Sequence, residues 1–498
     1  LPVRVVGTAL NAAKLATNAC DTGGANVALT FDNTGTATPT LQYADVGNMS
    51  VTANFTGTAG TSTAGLSMTG GGNFIVAPHH FSVSTNAAAT NKSGKPLNAT
   101  VTALNNSGVA TPNFGKESTP ESISLTHAKC QPTGTGSSAG SLVSSVGMFT
   151  AGVTSTTTFT WSEVGNIDLI ATLASANYLG SGLSATGNTG AGGTLCSGGI
   201  GTVGRFVPDH FITSVTQGCA AGSYTYSGQP YTVRITALNG LAVPTTTTNY
   251  DGSSATSPNF AKAVTLSDAS GATVGTLSNT AIAATAFSSG VASVSTPVYT
   301  FTNQTSTRQT APTTITIRAV DIDAVSSSGF SEGTNTIYAG RVNLGNAYGS
   351  ELVDLQIPAT AQYWNGTSWV RNSADTCTGD ITQGGGTSNA MALTLSPSAT
   401  ACIWDTGSPG LSGAGCATAG TLAKKYKEGV TPNVGFSGDF NAWLKATGSA
   451  GVVVVGGSVP TWMQYNWTGV GVVAPTARAT FGVYGGSNAV IYRGRKGR

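Results

Sequence analysis

The side chains in this sequence that can do chemistry are few and widely spaced. The histidines are His79, His80, His127 and His210, and a general base or metal ligand needs a second group converging on it. His80 and His210 each precede a phenylalanine at equivalent places in a repeat, which favours a packing role. We expect His79 and His80 to point to opposite faces of a strand. They are therefore not expected to share a metal.

A second chemical motif and the few carboxylates are equally weak. The segment Gly136-Ser-Ser-Ala-Gly140 matches the nucleophile elbow of hydrolases, but that motif works on a strand-to-helix turn, and no helix is predicted here. Asp321 and Asp323 alternate on a strand and would suit a calcium site between modules, although dense acidic loops are absent. The sequence therefore predicts no catalytic residue, no cofactor and no metal.

The seven cysteines show no Cys-x-x-Cys pair, so the usual zinc and thioredoxin-like spacings are missing. Their wide separation in a chain rich in Ser, Thr and Gly favours an oxidising compartment. We expect Cys196 and Cys219, which flank a boundary between repeats, to form one disulfide. Two of Cys377, Cys402 and Cys416 are expected to form another. The odd count leaves one thiol free or paired with a partner.

An aromatic cluster near the C-terminus is the least ordinary feature. Its members are Tyr363, Trp364, Trp369, Trp462, Tyr465 and Trp467. An Asn-Gly pair between Trp364 and Trp369 predicts a β-hairpin. In a β domain most such side chains belong to the core, whereas exposed ones stack on sugars or anchor a protein partner. These six residues are our candidates for an interaction surface.

The elements that position these residues repeat along the chain. Segments 1–10, 97–104 and 231–238 share one strand pattern, and the latter two follow similar lead-ins at 76–81 and 206–211. Three phenylalanines are each followed 12 residues later by another aromatic, in the pairs Phe31 and Tyr43, Phe149 and Trp161, and Phe287 and Tyr299. Equal spacing between landmarks indicates repeated modules whose loops vary in length.

The first copy has no lead-in before Leu1. Two readings follow from this: either the first module is cut at that point, or another chain completes it by adding a strand. We favour the cut.

Short segments that alternate apolar and hydroxyl residues predict strands. Val233 and Ile235 lie on one face of such a segment, with Thr232, Arg234 and Thr236 on the other. The 67 glycines and 19 prolines occur between these runs. The expected fold is all-β, with tandem immunoglobulin-like sandwiches and a C-terminal β-rich domain. The expected modules are a truncated one at 1–73, full ones at 74–203 and 204–340, and a different C-terminal domain at 341–498.

Composition excludes several classes of function. Only 8% of the 498 residues are charged and the net charge is +2, which gives no electrostatic basis for binding nucleic acid. No stretch has the roughly 18 consecutive apolar residues of a membrane span. Hydrophobic residues make up 40% of the chain, so it is not a disordered protein.

Several motifs together resemble MshQ-like proteins, which accompany mannose-sensitive haemagglutinin type IV pili in Gram-negative bacteria. The motifs lie at 346–352, 361–364, 375–377, 462–467, 479–484 and 491–492, with the lead-in 207–211 and the segments 178–180 and 228–231. The resemblance covers essentially the whole chain. It implies a secreted or surface-anchored protein tied to pilus biogenesis or adhesion, with no established activity.

Three hypotheses about function follow. The first is a non-enzymatic adhesion protein on the bacterial surface, with the modules as a stalk, the C-terminal domain as the interaction surface, and pilus or other surface proteins as partners. The second is a structural subunit that self-associates into filaments by strand addition. The third is a carbohydrate-binding or carbohydrate-active protein, which would need paired carboxylates across a cleft for catalysis.

Overall fold

The computed structural model describes most of the chain. The described residues are 2–8, 25–28, 32–34, 36, 38, 43–353, 355–375, 377–378, 392–396, 401–404, 416–417, 419–421, 439–446 and 448–482. Among them, no helix has the length and apolar character needed to cross a bilayer. The only helices are short 3-10 turns in this part of the chain, at Tyr178–Gly180, Ala191–Gly193, Ser197–Gly199, Ala220–Gly222, Ala284–Ala286 and Thr461–Met463.

The β-strands group by their sheets into four sets, here called units 1 to 4. Unit 1 comprises β1 (Pro2–Thr8), β2 (Ala25–Ala28), β3 (Gly47–Thr56) and β4 (Ser67–Val76). Unit 2 comprises β5 (His80–Thr85), β6 (Asn91–Lys92), β7 (Leu97–Leu104), β8 (Ile123–Gln131), β9 (Leu142–Ser145), β10 (Phe149–Thr150), β11 (Val153–Thr154), β12 (Thr157–Trp161), β13 (Gly165–Leu173), β14 (Thr186–Asn188) and β15 (Val203–Val207).

Units 3 and 4 follow in the same manner. Unit 3 comprises β16 (His210–Thr216), β17 (Thr225–Tyr226), β18 (Thr232–Leu238), β19 (Val264–Asp268), β20 (Gly275–Ser278), β21 (Ala281–Ile282), β22 (Val291–Val294), β23 (Val298–Phe301), β24 (Thr313–Asp321) and β25 (Gly333–Tyr338). Unit 4 comprises β26 (Gly340–Leu344), β27 (Ala347–Gly349), β28 (Leu355–Trp364), β29 (Trp369–Arg371), β30 (Ala392–Ser396), β31 (Ala401–Trp404), β32 (Cys416–Ala417), β33 (Ala419–Thr421), β34 (Asp439–Ala446), β35 (Gly451–Ser458) and β36 (Thr476–Phe481).

Units 2, 3 and 4 are β-sandwiches, which confirms the predicted all-β, immunoglobulin-like architecture. Alternation along β18 buries Val233 and Ile235 and exposes Arg234, as the sequence pattern predicts, but Thr236 on the face of Arg234 is also buried. In each unit a short early strand pairs in parallel with the last strand: β6 with β15, β17 with β25, and β27 with β36. The remaining ladders are antiparallel, as expected for sheets that pack one face on the core and turn the other towards solvent.

Unit 4 was expected to be a different domain, but its strands follow the order of unit 3. One sheet of unit 3 has the order β17-β25-β24-β19-β21, and one sheet of unit 4 has the matching order β27-β36-β35-β30-β33. The spaced aromatic pair that marks the other units is absent from unit 4. Sheet order therefore reveals a relationship that the sequence landmarks do not.

Unit 1 corrects the predicted alignment of the repeat. Residues 1–10 were matched to β7 and β18, but β1 pairs with β3 as β8 pairs with β13 and β19 pairs with β24. The next strand, β2, pairs with β1 as β21 pairs with β19. The similar alternation of apolar residues in all these strands produced the wrong match. β1 therefore corresponds to β8 and β19.

Each sandwich core includes side chains from the preceding unit. Val46, from the turn before β3, lies in the core of unit 2. Val164 and Val207 of unit 2 lie in the core of unit 3. Cys219, Tyr224 and Tyr226 of unit 3 lie in the core of unit 4. Consecutive units thus share buried apolar surface, which is the main source of favourable free energy in folding and association.

Candidate functional sites at the unit junctions

The six predicted interaction aromatics lie where unit 4 meets unit 3. Trp364 and Trp369 face each other across the hairpin of β28 and β29, which confirms the predicted Asn-Gly hairpin. Tyr465 and Trp467 follow the 3-10 helix that contains Trp462. All six side chains are half-buried. The structure brings four of them together: Trp364, Trp369, Tyr465 and Trp467. Each ring in this order contacts the next, with distances between neighbouring ring centroids of 5.8, 5.1 and 5.0 Å.

Arg341 fills the centre of this aromatic cluster. Its guanidinium carbon lies 4.2, 4.7 and 5.0 Å from the ring centroids of Trp369, Tyr465 and Trp467. Its Nε donates a 2.8 Å hydrogen bond to Gln362. Burial lowers the pKa of Arg341 to about 10. A cation held against three rings is a stabilising arrangement, and it occupies ring faces that a sugar would need.

Three tyrosines stack across the same junction. Tyr338 at the end of β25 lies between Tyr224 and Tyr363, with centroid distances of 4.6 and 4.7 Å and interplanar angles of 9° and 19°. Tyr224 belongs to unit 3 and Tyr363 to unit 4. Burial is the main reason that the pKa of Tyr224 is raised. The candidate Tyr363 therefore serves as a contact between units.

Arg308 is a nearly fully buried cation at this junction. Its side chain is 2% exposed, and it donates hydrogen bonds of 2.7 to 3.2 Å to the carbonyl oxygens of Gln304, Gly340, Thr461 and Trp462. Burial lowers its pKa to about 10. Four carbonyls around one guanidinium satisfy backbone groups that would otherwise be costly to bury.

A disulfide also crosses this junction, and it corrects the predicted pairing. Cys219 of unit 3 is bonded to Cys377 of unit 4, over a sequence separation of 158. Cys196 is bonded to Cys130 within unit 2, over a separation of 66. The expected Cys196–Cys219 bridge is therefore wrong, because the segment after Cys219 packs into the core of unit 4. The side chains of Cys402 and Cys416 lie outside the described residues, and their pairing stays a prediction.

A buried aspartate accompanies each disulfide. Asp375 accepts hydrogen bonds from the Tyr226 hydroxyl at 2.7 Å and from the Cys377 and Thr378 N–H groups at 3.0 and 2.8 Å. Asp168 accepts bonds from the Cys196 N–H at 2.7 Å and from Thr189 and Thr202. Burial acts to raise the pKa of Asp168, but its hydrogen bonds together lower the pKa below the ordinary value.

The junction between units 2 and 3 contains a buried carboxylate in place of an arginine. Glu163 is 5% exposed and accepts bonds from the Thr248 N–H at 3.0 Å, the Thr248 hydroxyl at 2.7 Å and the Asn249 N–H at 3.0 Å. The adjacent Val164 N–H donates to Glu163 at 3.2 Å. The side-chain amide of Asn239 donates to the Ser162 carbonyl at 3.0 Å. The turn at 162–164 thus binds two loops of unit 3.

The junction between units 1 and 2 repeats these contacts at equivalent residues. Asp45 accepts bonds from the Asn113 N–H at 3.1 Å and the Val46 N–H at 2.9 Å. The side-chain amide of Asn105 donates to the Ala44 carbonyl at 2.8 Å. Burial raises the pKa of Asp45. The shared Asp/Glu-Val-Gly-Asn turn that the sequence shows at 45–48 and 163–166 is therefore the part of units 1 and 2 that holds the next unit.

The predicted weak chemical motifs have structural roles. Ser138, the central serine of the elbow-like motif, donates its N–H to Asn249 at 2.8 Å in the second junction. Asp323 forms a bidentate pair with Arg205 at 2.7 and 2.9 Å. Asp321 accepts bonds from Tyr250 and from backbone N–H groups. Both carboxylates therefore have protein partners within or next to the second junction.

The histidines show one further correction. The Nδ1 atoms of His79 and His80 lie 3.0 Å apart, because His79 precedes β5 and does not follow strand alternation. Their side chains therefore approach each other, contrary to expectation. The Nδ1 atom of His210 lies 3.0 Å from Oδ2 of Asp209, and the His210 ring stacks on the Phe330 ring with 3.6 Å between the centroids. Within the described part of the chain, both clusters of three residues that could ligate a metal contain a disulfide, whose bonded sulfurs are not thiolate ligands.

Two of the junction residues carry a sequence signal and two do not. Asp45 and Glu163 lie in the turn that recurs at 45–48 and 163–166, and this recurrence is the sequence signal that could have identified them. Arg308 and Arg341 belong to no motif that recurs along the chain, so the repeat gives no signal for them.

Comparison with known families gives three matches. Residues 2–71 match the first domain of DUF6701, an Ig-like domain of unknown function. Residues 163–339 match the third domain of DUF6701, and residues 338–495 match the fourth. The chain therefore contains DUF6701 domains over most of its length. No curated protein matches it.

Solved structures with tandem β domains are weakly similar in shape. The adhesin FdeC of Escherichia coli has 13% identity and a TM-score of 0.31, covering 80% of this chain and 97% of that one. A tetra-tandem repeat from the extending region of a large adhesion protein has 13% identity and a TM-score of 0.27, covering 96% of this chain and 91% of that one. At this level the similarities carry no information about function.

Proposed function

We propose that this chain, whose domains belong largely to DUF6701, is a non-enzymatic adhesion protein of the bacterial surface. Units 1 to 3 would act as a stalk and unit 4 as the surface that meets a partner. The expected boundaries at 73/74, 203/204 and 340/341 are part of this proposal. So is the association with pili, which the motif resemblance to MshQ-like proteins supports.

The observation that carries the proposal is the repeated construction of the junctions. Asp45 and Glu163 accept backbone N–H groups from the next unit, while Val46 and Val164 enter its core. Flexible linkers between independent domains would need none of these contacts, since linkers are commonly exposed and polar. A stalk needs fixed orientations between units, and buried, hydrogen-bonded junctions supply them.

Two further observations support an extracellular location. The two disulfides among the described residues enclose long segments of chain, with separations of 66 and 158 residues, and such bonds persist in oxidising compartments. Charged groups make up 8% of the sequence, and most of those at the junctions are paired with backbone or with each other. The buried polar groups are thus used to join units.

Unit 4 also has exposed apolar side chains that are not part of the aromatic cluster. Tyr348, Leu352 and Val353 in β27 and the following loop are 70, 77 and 63% exposed. Because the rings around Arg341 already contact each other and the guanidinium, we assign the partner surface to this second region. The aromatic cluster would then hold unit 4 in place.

The test is an adhesion assay with beads that carry the full chain. Wild-type beads should bind bacterial or host surfaces above albumin-coated beads, and the double change Leu352→Asp with Val353→Asp should reduce binding at least about tenfold, a loss of about 1.4 kcal/mol. The matched control is Val143→Asp, an equally exposed valine of unit 2 at 65%, which should bind as wild type. Wild-type beads that bind no better than albumin would contradict the proposal.

A further inference from the structure

The Cys219–Cys377 disulfide closes a covalent loop around nearly all of unit 3. Cys219 lies just after β16, the first strand of unit 3, and Cys377 lies after β29 in unit 4. Strands β17 to β25 of unit 3 and β26 to β29 of unit 4 are therefore inside the loop, which has a sequence separation of 158. Tension between units 2 and 4 passes from Cys219 to Cys377, because the disulfide is a far shorter covalent path than the loop.

The part of unit 3 that stays on this path is already extended. It consists of residues 210–218, and β16 occupies most of it. A β-strand rises about 3.2–3.4 Å per residue, close to the maximum of about 3.3–3.6 Å for a stretched chain. The work done by a pulling force is the force multiplied by the gain in length, and β16 has almost no length to gain. Its two ends are pulled in opposite directions, so no net force separates it from its partner β18.

Buried hydrogen bonds between units 3 and 4 surround the disulfide. The Tyr226 hydroxyl donates to Asp375 at 2.7 Å, and the side-chain amide of Asn372 donates to the Tyr226 hydroxyl at 2.7 Å. Cys219 is 1% exposed. Since thiol–disulfide exchange depends on access to the sulfur atoms, this burial protects the covalent path from reductants.

Unit 2 offers a contrast, because more of it stays on the path. Its disulfide, Cys130–Cys196, has a separation of 66 and excludes only β9 to β14. Strands β5 to β8 and β15 remain outside that loop. The parallel pair of β6 and β15 joins the early part of the unit to its end, so tension acts on this pair as shear. Unit 2 therefore has folded chain that a force can extend, whereas unit 3 has almost none.

We propose that the Cys219–Cys377 disulfide is a tension bypass, which carries force past unit 3 so that unit 3 stays folded while unit 2 extends. A pull on the exposed side chains at 348–353 follows the same route, because these residues are far closer along the chain to Cys377 than to Cys219. The use of the bypass in adhesion rests on the proposed stalk function. The force path does not, and the bead assay tests adhesion separately.

The first experiment is single-molecule force spectroscopy of the full chain, held by its two ends and fully stretched. The double variant Cys219→Ser with Cys377→Ser should be longer than wild type by about 520–570 Å, which is 158 residues at about 3.3–3.6 Å each. The matched control, Cys130→Ser with Cys196→Ser, should be longer by only about 220–240 Å, from 66 residues. Equal stretched lengths of wild type and the Cys219/Cys377 variant would overturn the proposal.

A second experiment tests in wild type whether unit 3 stays folded under load. The chain is held at a constant force that extends unit 2, and dithiothreitol is added. Its thiolate attacks one sulfur of the disulfide, forms a mixed disulfide with it and releases the other cysteine as a thiolate. Because a folded unit 3 then bears the force itself, the extra length should appear in later, separate unfolding steps. Release of the whole length in one step, at the moment of cleavage, would show that unit 3 had already unfolded and would refute the bypass.

Discussion

The second and third junctions bind consecutive units through charges of opposite sign. At the second junction the carboxylate of Glu163 accepts N–H and O–H groups from unit 3. At the third junction the guanidinium of Arg308 donates to carbonyls of unit 4. Both side chains are nearly fully buried, at 5 and 2% exposure. Either sign of charge can satisfy the unpaired backbone groups at the end of a sandwich.

The two junctions differ more in how many elements they use. The second is held by the turn at 162–164, the Ser138–Asn249 hydrogen bond, the Arg205–Asp323 ion pair and a shared apolar core. The third adds the Cys219–Cys377 disulfide, the stack of three tyrosines and the cluster around Arg341. We therefore expect units 3 and 4 to unfold together, whereas units 2 and 3 can separate in their unfolding.

The largest expected effect comes from removing the disulfide of the third junction. The double change Cys219→Ser with Cys377→Ser should lower the free energy of unfolding by up to about 5 kcal/mol in the chain-entropy picture. Calorimetry should then show unit 4 melting separately from unit 3. The matched control is Cys130→Ser with Cys196→Ser, which should destabilise unit 2 alone. Loss of the same transition in both variants would contradict this distinction.

The next largest effect should come from Arg308. Arg308→Met keeps most of the apolar stem and leaves four carbonyls without their donor, which should cost about 3 kcal/mol. Limited proteolysis should find faster cleavage near 461–463. Arg318→Met is the control, because Arg318 pairs with Glu332 near the surface and should cost less than about 1 kcal/mol. Equal effects of the two changes would refute a special role for Arg308.

The second junction is tested by Glu163→Gln. The substitution keeps the size of the side chain but replaces an ionised acceptor of several donors, so we expect a loss of about 2 kcal/mol. Amide hydrogen exchange should rise at Thr248 and Asn249 and stay unchanged at the third junction. The exposed carboxylate of Asp32, mutated to Asn, provides a control outside this junction. Unchanged hydrogen exchange at Thr248 and Asn249 in Glu163→Gln would show that the carboxylate does not stabilise the second junction.

The smallest effects are in the pH dependence, and they have opposite signs in the two regions. The pKa of Asp168 is lowered from 3.8, so its contribution to unit 2 is present above that pH and is lost as pH falls through the lowered value. The pKa of Tyr226 is raised well above 10.0, mainly by burial. Its contribution to the third junction is present below pH 10 and is lost as the pH rises further.

Denaturation followed at several pH values checks this pair of predictions. Asp168→Asn should flatten the acid limb for unit 2, and Tyr226→Phe should flatten the alkaline limb for unit 4. If acid released unit 4 first, the assignment of the two limbs would be wrong.

The sequence predicted the fold class well because strand alternation depends on local burial. Val233 and Ile235 are buried as their pattern indicates. It misplaced β1 because β7, β8 and β18 carry the same alternation, and only pairing distinguishes them. The sequence also did not reveal that unit 4 resembles unit 3, because unit 4 keeps the strand order of unit 3 but lacks the spaced aromatic pair.

The junctions show the same limit. The turn containing Glu163 was visible as a repeat, but its partners Thr248 and Asn249 lie more than 80 positions away. The pairing of Cys219 depends on which core its segment enters, and no local pattern encodes that. Four of the six candidate aromatics lie together, but nothing in their own segments indicates the arginine at their centre, which comes from another strand.

Fixed orientation between units is the central claim, and a distance measurement across the second junction tests it most directly. Spin labels can be attached through unnatural amino acids at two exposed positions, Met148 of unit 2 and Ser278 of unit 3. Pulsed electron paramagnetic resonance then measures the distance between the two labels. Fixed junctions should give one narrow distance distribution in wild type, and this distribution should broaden in Glu163→Gln. A broad distribution in wild type, unchanged by the mutation, would contradict this claim.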